Sequence, residues 1–277
     1  MTATFSSLLP MTFIGGGNMA QALISGWLKQ GISASQIHVV EPAAATRGHL
    51  SQHLGVTCHE QATAALSASR MVVWAIKPQV FKQVAISLNG MFPQALHLSV
   101  AAGIRSDTIA QWLHTQRVIR TMPNTPALIG KGITALVARD GVSPADKDWA
   151  GEVIGTTGDV LWLSDEAQID AVTALSGSGP AYVFYFMEAM REAGIDMGLD
   201  AAQAYQLAVA TFIGAGELAK ASSEPPEVLR QRVTSKGGTT YAAISAMEHS
   251  GIKASFIQAM QAAQVRAKEM GDEFGAA

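Results

Sequence analysis

An α/β unit with a mostly parallel sheet, followed by an all-helical unit, is the fold class this sequence predicts. Three observations carry it: short β-type runs alternate with helix-type segments up to Leu163, none follows Asp165, and a triple glycine directly follows the first run. The runs are, in order, "MTFI" (11–14), "IHVV" (37–40), "VTC" (56–58), "MVVWAI" (71–76), "LHLSVA" (96–101), "VIRTM" (118–122), "ITALVA" (133–138) and "VLWL" (160–163). Most are too short for a helix, and several are apolar throughout, as strands covered on both faces must be. Beyond residue 165 Ala, Met, Gln and Glu dominate. Breaks at "GSGP" (177–180), "MGLD" (197–200), "SSEPPE" (222–227), "SKGG" (235–238) and "HSG" (249–251) mark out five or six helices. "SSEPPE" reads as a helix start with proline in its first turn.

Composition limits the function. A chain of 277 residues, 48% hydrophobic and 15% charged, can bury a large core and has room for two domains. The formal net charge of −3, with no block of Lys or Arg, argues against nucleic acid or an anionic membrane surface and leaves small molecules as the expected ligands. One cysteine, Cys58, excludes an internal disulfide framework and fits a reducing, cytoplasmic compartment. The opening "MTATFSSLLP" has no basic region and too short an apolar run for a signal peptide, so residues 1–10 are expected to be a flexible leader. No stretch approaches the roughly 18 uninterrupted apolar residues of a membrane span.

The first unit carries a phosphate-binding signature. Gly15-x-Gly17-x-x-Ala20 directly follows the first run, and Met19, Leu23, Ile24, Trp27 and Leu28 recur behind it at helical spacing. In this strand–turn–helix context the first glycine allows the tight turn and the second lets a pyrophosphate touch the backbone. A small residue at Ala20 lets helix pack on strand. The helix N-terminus then faces the phosphates. Residues 11–165 are therefore expected to form a Rossmann-type dinucleotide-binding domain, with Ile14, Gly15, Gly16, Gly17, Asn18 and Met19 at the phosphates.

The end of the second strand bears on which cofactor is bound. Glu41 can hydrogen-bond an adenosine ribose and repel a 2′-phosphate, favouring NADH. Arg47, six residues on, can instead reach a phosphate, and Pro42 can turn Glu41 away. An ordinary acid at a helix N-terminus is the further alternative. The choice between NADPH and NADH stays open here. Three more strand ends are expected to line the same crevice: "AIKPQ" (75–79), "VAAG" (100–103) and "TMPNTP" (121–126). Ala75, Ile76, Lys77 and Pro78 come from the first, Ala101 and Ala102 from the second, Met122 and Pro123 from the third. Lys77 reads equally as a cofactor contact and as a solvated lysine.

In the helical half, "LSGSGPAY" (175–182) is an uncharged polar loop, and "VTSKGGTTYAAI" (233–244) presents Ser, Lys, Gly, Gly, Thr, Thr ahead of a helix. Both look like helix N-termini suited to an anion, although Ser178 or Thr239 capping its own helix would explain either loop alone. "SKGG" lacks the order of a Walker A loop.

Five stretches together resemble the pyrroline-5-carboxylate reductases: Gly15-Gly16-Gly17-Asn18-Met19-Ala20, Ala75-Ile76-Lys77-Pro78-Gln79, Met122-Pro123-Asn124-Thr125-Pro126, Ser176-Gly177-Ser178-Gly179-Pro180-Ala181-Tyr182, and Val233-Thr234-Ser235-Lys236-Gly237-Gly238-Thr239-Thr240. The likeness spans residues 11 to about 270, and the last two stretches are its most specific part. It implies NAD(P)H-dependent reduction of L-1-pyrroline-5-carboxylate to L-proline. It also implies a helical domain at 166–277 that interlocks with its twin in a homodimer, so that each site combines the cofactor domain of one chain with the Ser-Gly-Gly-Thr loop of the other. A decamer of dimers stays open as the larger assembly. The carboxylate of such a substrate suits main-chain donors at Ser235, Gly237, Gly238 and Thr239. A protonated imine is already electrophilic, so the reaction needs positioning and a weak donor. Thr240, carried over as hydrogen-bonding the ring nitrogen, meets that need. Thr173 is a second catalytic candidate, and Glu166 a weaker, substrate-binding one.

Other readings are weighed against this. No ionisable Lys, Arg, His, Asp or Glu lies between Ala171 and Met187, which speaks against a 3-hydroxyacid dehydrogenase with a lysine on that helix. Glu41-Pro42 and Arg232 depart from the family pattern at the second strand end and before the Val-Thr-Ser loop. His49, His53, Cys58 and His59 invite a metal reading, but they lie on the adenosine side and the expected chemistry needs no metal. The Met-rich, aromatic stretch 182–190 reads as dimer packing rather than a cofactor groove. A reductase of a six-membered cyclic imine, a non-catalytic NAD(P)H-binding regulator and a purely structural oligomerisation protein are the alternatives. The last two leave the Ser-Lys-Gly-Gly-Thr-Thr loop or the glycine turn without a purpose.

Overall fold

The computed structural model describes residues 10–276. The expected leader, residues 1–10, lies outside the described residues except for Pro10, whose carbonyl accepts the Arg70 N–H at 2.8 Å and so is tied to the sheet. The chain forms two compact units, one reaching to Gly177 and taking in the chain again from Ala263, the other Ser178–Ala262.

All eight runs form strands: β1 (Met11–Ile14), β2 (Ile37–Val40), β3 (Thr57–His59), β4 (Met71–Trp74), β5 (Leu96–Ser99), β6 (Val118–Met122), β7 (Gly132–Ala138) and β8 (Gly158–Trp162). They build one sheet in the order β3-β2-β1-β4-β5-β6-β7-β8. Every neighbouring pair is parallel except β6 and β7. The exception follows from length: residues 123–131, with one short 3₁₀ turn at Thr125–Ile129, are too few for a crossover helix, so the chain reverses. The third strand is shifted one residue from its expected place, because Val56 is buried just before it.

Period-two alternation fills both faces of the sheet. On β4, Met71 and Val73 join a cluster with Phe13, Leu23, Trp27, Val39 and Trp149, while Val72 and Trp74 join Phe81, Ile104, Ile109 and Leu113. The first layer lies under α1 (Asn18–Lys29) and α5 (Pro144–Gly155), the second under α3 (Pro78–Ser87) and α4 (Ser106–Leu113). Both fully buried indoles place their N–H: Trp27 donates to the Val153 carbonyl at 2.8 Å, Trp74 to His97 Nδ1 at 3.1 Å. Beside α2 (Ala44–Leu54) and α6 (Gln168–Val172), the unit also holds the far end of α11 (Ile252–Ala276), whose Phe274 packs on the second layer.

After Asp165 there are only helices among the described residues. Within Ser178–Ala262 run α7 (Gly179–Asp196), α8 (Ala201–Ala221), α9 (Pro226–Arg232), α10 (Thr239–His249) and the start of α11. Pro226 stands in the first turn of α9, as "SSEPPE" predicts. Among the described residues of this unit only Gly194, Ala204 and Ala208 are buried. These small residues bring α7 close to α8, since a Cβ on Gly194 would lie 2.8 Å from that of Ala204. Phe184, Tyr185, Leu207, Ile213 and Leu218 stay 56–70% exposed. The unit has no large-side-chain core of its own. No helix is long and apolar enough to cross a membrane among the described residues.

One expectation is corrected. "LSGSGPAY" is not a loop: Thr173–Gly177 is a single π-helical turn, and Ser178 has helical angles, φ −85° and ψ −16°. Pro180 is accommodated because it sits in the first turn of α7, where a backbone N–H has no intrahelical partner to lose.

Candidate functional site

Strand order places the reversal of connection between β1 and β4, where open α/β sheets receive ligands at the carboxyl ends. The glycine turn lies there. Gly15 leaves β1 with its N–H on the Val40 carbonyl at 2.8 Å and φ of +96°, and a Cβ on it would stand 2.5 Å from the Ala75 carbonyl oxygen. Gly16 is confined by a side chain rather than by backbone, because a Cβ there would meet Leu50 Cδ1 at 2.6 Å. Gly17 differs. Its angles, φ −68° and ψ −176°, suit any residue, and a Cβ on it would meet nothing within 4 Å. Backbone angle and packing require Gly15 and packing favours Gly16, whereas Gly17, which neither demands, leaves open space at the start of α1 at the switch point of the sheet.

Gly17 is also the N-cap of α1, which has no side-chain cap and no acid in its first turn. Asn18 is exposed and Met19 half-buried at this end of the helix. Such a helix start, with uncapped donors and an open approach, fits a pyrophosphate. Ile14 belongs to the core, its carbonyl taken by the Ala75 N–H at 2.8 Å, so its part in the turn is a main-chain one.

Around the turn, Glu41 accepts the Gly16 N–H and the Ala43 N–H, each at 2.9 Å. Arg47 turns its guanidinium inward to the carbonyls of Glu41 (2.9 Å) and Pro42 (2.6 Å) and to Glu60 (3.3 Å). At the neighbouring strand ends Lys77 is exposed at the N-cap of α3 beside Pro78. Ala101 is buried, Ala102 half-buried, and Gly103 takes φ of +74° against Met270 and Phe274. Pro123 is buried; the Met122 side chain lies against Gly177, where a Cβ would come within 2.5 Å of its Cε.

Two candidates already have partners. Glu166 accepts from the Ser106 N–H at 2.7 Å, the Ser106 hydroxyl and Arg120 Nη1 at 2.9 Å, which fastens the start of α6 to α4 and β6. Thr173 donates its hydroxyl to the Ile169 carbonyl at 2.8 Å, leaving that oxygen as an acceptor only.

The second polar stretch forms a tight turn before α10. The Gly238 N–H reaches the Ser235 carbonyl at 3.0 Å, Gly237 takes φ of +77°, and Gly238 leads into Thr239 and Thr240. No side chain caps this helix, nor does Ser178 cap α7, so the capping explanation of these hydroxyls does not hold among the described residues. Ser235, Gly237 and Thr239 are exposed, Gly238 and Thr240 half-buried. Apart from the Gly238 N–H, which closes the turn, the turn and the first turn of α10 thus present donors and hydroxyls suited to a small carboxylate.

The histidines are spent on each other. His53 reaches the His49 carbonyl at 3.0 Å with the rings stacked, and His59 Nε2 meets His38 Nδ1 at 3.2 Å. No group of three His, Cys, Asp or Glu side chains able to hold a metal occurs among the described residues.

The pairing of Glu166 with Arg120 joins elements distant in the chain and carries no local sequence signal, and the turn of Arg47 onto the Glu41 and Pro42 carbonyls depends on local backbone geometry that residue types alone do not give. The bare Gly17 was legible from its motif.

Comparison with known proteins agrees with this layout. Residues 166–270 match the family described as pyrroline-5-carboxylate reductase dimerisation, and residues 10–103 match NADP oxidoreductase coenzyme F420-dependent. The pyrroline-5-carboxylate reductase of Pseudomonas aeruginosa is 42% identical over 96% of this chain and 98% of its own. A structure of such a reductase from Coxiella burnetii has a TM-score of 0.89 at 36% identity, covering 95% of this chain and 98% of the other. The Plasmodium falciparum pyrroline carboxylate reductase, solved with NADP bound, has a TM-score of 0.84 at 25% identity over 95% and 98%.

Proposed function

The chain belongs to the pyrroline-5-carboxylate reductase family, and from that premise we propose that it reduces L-1-pyrroline-5-carboxylate to L-proline, the last step of proline synthesis, using NADPH or NADH. The nicotinamide, when bound, supplies the hydride; binding, orientation and the proton-holding contacts fall to the chain. The observation that carries the reading is Gly17, a glycine that neither backbone angles nor packing demand, at the uncapped start of α1.

On this reading residues 14–19 hold the phosphates through their main chain, and the ends of β4, β5 and β6 (Ala75 to Pro78, Ala101 and Ala102, Met122 and Pro123) form the wall along which the cofactor lies. The substrate carboxylate goes to the donors of Ser235, Gly237 and Thr239, while the Gly238 N–H stays on the Ser235 carbonyl and closes the turn that presents them. Thr240 hydrogen-bonds the ring nitrogen, its hydroxyl oxygen accepting from the N–H of the protonated imine, which is already electrophilic and needs only to be positioned. Thr173 assists as an acceptor, and Glu166 acts at one remove by holding Arg120 and the start of α4. Residues 166–277 form the interlocked half of a homodimer, the 235–240 loop of one chain serving the nucleotide domain of its partner. The three small buried residues of Ser178–Ala262 support this, because a helical unit with so little interior gains stability only by covering its apolar faces. Sedimentation reports whether the dimers stack further. A cytoplasmic setting belongs to the same reading and is supported by the free, half-buried Cys58.

Steady-state oxidation of NADPH and NADH with pyrroline-5-carboxylate and with its six-membered homologue tests the proposal. A kcat/KM for the five-membered ring roughly tenfold or more above that for the larger ring is expected, the discrimination one methylene allows. Turnover of neither ring overturns the reading.

A further inference from the structure

We infer that Glu41 makes this enzyme select NADH over NADPH. The inference deepens the proposed function and rests on its dinucleotide site. It comes from how the end of β2 is built.

The Glu41 carboxylate is fixed in place. One oxygen accepts the Gly16 N–H of the phosphate turn and the other the Ala43 N–H at the start of α2, both at 2.9 Å, while its own N–H is held by the His59 carbonyl. Rotation away from the turn would forfeit both bonds; water can take over at the exposed Ala43 N–H but less readily at the part-buried Gly16 N–H, a cost on the order of an ordinary hydrogen bond. An anion held at this point of a Rossmann-type turn lies where the adenosine ribose hydroxyls go and offers them an acceptor. It opposes a phosphate esterified there, because like charges at short range in a partly dry site repel strongly.

The cation that could offset this is engaged elsewhere. Arg47 gives Nη1 to the carbonyls of Glu41 and Pro42 and Nη2 to Glu60, and only 21% of its side chain is exposed. To meet a 2′-phosphate it would have to release both carbonyls and then sit beside the Glu41 charge. The nearby imidazoles of His38 and His59 are bound to each other, and burial, followed by the neighbouring His59, lowers the pKa of His38, so the His38 ring brings no positive charge at neutral pH. The loop therefore presents an acceptor for a diol and, apart from the main-chain N–H groups at the start of α2, which lie beside the Glu41 charge, no free cation for a phosphate.

Dissociation constants of NADH and NADPH for the full-length protein without substrate, followed by quenching of tryptophan fluorescence, provide the test. The wild type should bind NADH about tenfold or more tightly than NADPH. In Glu41→Gln, which keeps an acceptor for the Gly16 N–H but removes the charge, the preference should fall to within about threefold, through tighter NADPH and weaker NADH binding. A wild type that binds NADPH as well as or better than NADH overturns the inference whatever the variant does. So does a wild-type preference for NADH that survives in Glu41→Gln. A protein that binds neither dinucleotide removes the proposed function itself, a result distinct from a wrong preference.

Discussion

Arg120 and Glu166 meet across 2.9 Å, the guanidinium 3% and the carboxylate 25% exposed. The pair joins β6 to the start of α6, and Ser106 adds two hydrogen bonds to the same carboxylate. Asp170 stays 4.0 Å from the same guanidinium and keeps part of its charge compensated, so Glu166→Gln should lower stability by about 1–3 kcal/mol, measured by urea unfolding. If Glu166 acts through this scaffold, the loss of activity should track the loss of folded protein. A raised substrate KM at full stability would instead put Glu166 in contact with the substrate.

The glycine turn separates structural from ligand-driven need. Gly15→Ala, with a positive φ and a carbonyl 2.5 Å from the new Cβ, should destabilise the protein by about 1–3 kcal/mol. Gly17→Val should leave the thermal midpoint nearly unchanged, because the side chain enters open space, yet abolish dinucleotide binding. Equal destabilisation by the two would remove the argument for a ligand at Gly17.

Thr240→Ala should slow turnover by ~10- to 10²-fold with dinucleotide affinity intact, as the loss of one positioning hydrogen bond predicts. Single-turnover kinetics alongside titration of the cofactor separate the two quantities. An unaltered rate would exclude Thr240 from the reacting centre.

His97 introduces a pH dependence outside the site. Burial, opposed by a hydrogen bond to the Phe92 backbone and reinforced by the Arg117 charge, lowers its pKa to about 4. Its Nδ1 accepts the Trp74 indole N–H, which requires the neutral ring. The unfolded histidine takes its proton near pH 6.5 and the folded one only near 4, so this contribution is complete above about 6.5 and is lost as pH falls towards 4, amounting to about 3 kcal/mol. Asp146 acts in a lower window. Although burial raises its pKa, hydrogen bonds from Arg117 and Ser143 hold it below the usual carboxylate value of 3.8, and its contribution disappears only below that pH. Urea midpoints between pH 7 and 4 should fall less steeply in His97→Gln than in the wild type.

How much of this was legible depended on the range of the interaction. The strands stood out because each is an apolar run bounded by polar turns, and β1 with Gly15, Gly17 and Ala20 marked the candidate nucleotide site from local pattern alone. The π turn at Thr173–Gly177 did not: Gly and Pro look like punctuation, yet here they let the backbone approach Met122 and begin α7. Helical periodicity in α11 likewise says nothing about which core it serves, and the packing of Phe274 beside the sheet emerges only in three dimensions. Arg47 could be read as a phosphate ligand because its carbonyl partners are set by the turn at Pro42, a detail of geometry rather than composition.

A crystal structure of the protein with NADH and L-proline tests the central claim most directly. The account predicts phosphates against residues 15–19 and the proline carboxylate on the main-chain donors of residues 235–239, with the ring nitrogen at Thr240. Proline bound anywhere else, or phosphates away from Gly17, would contradict it.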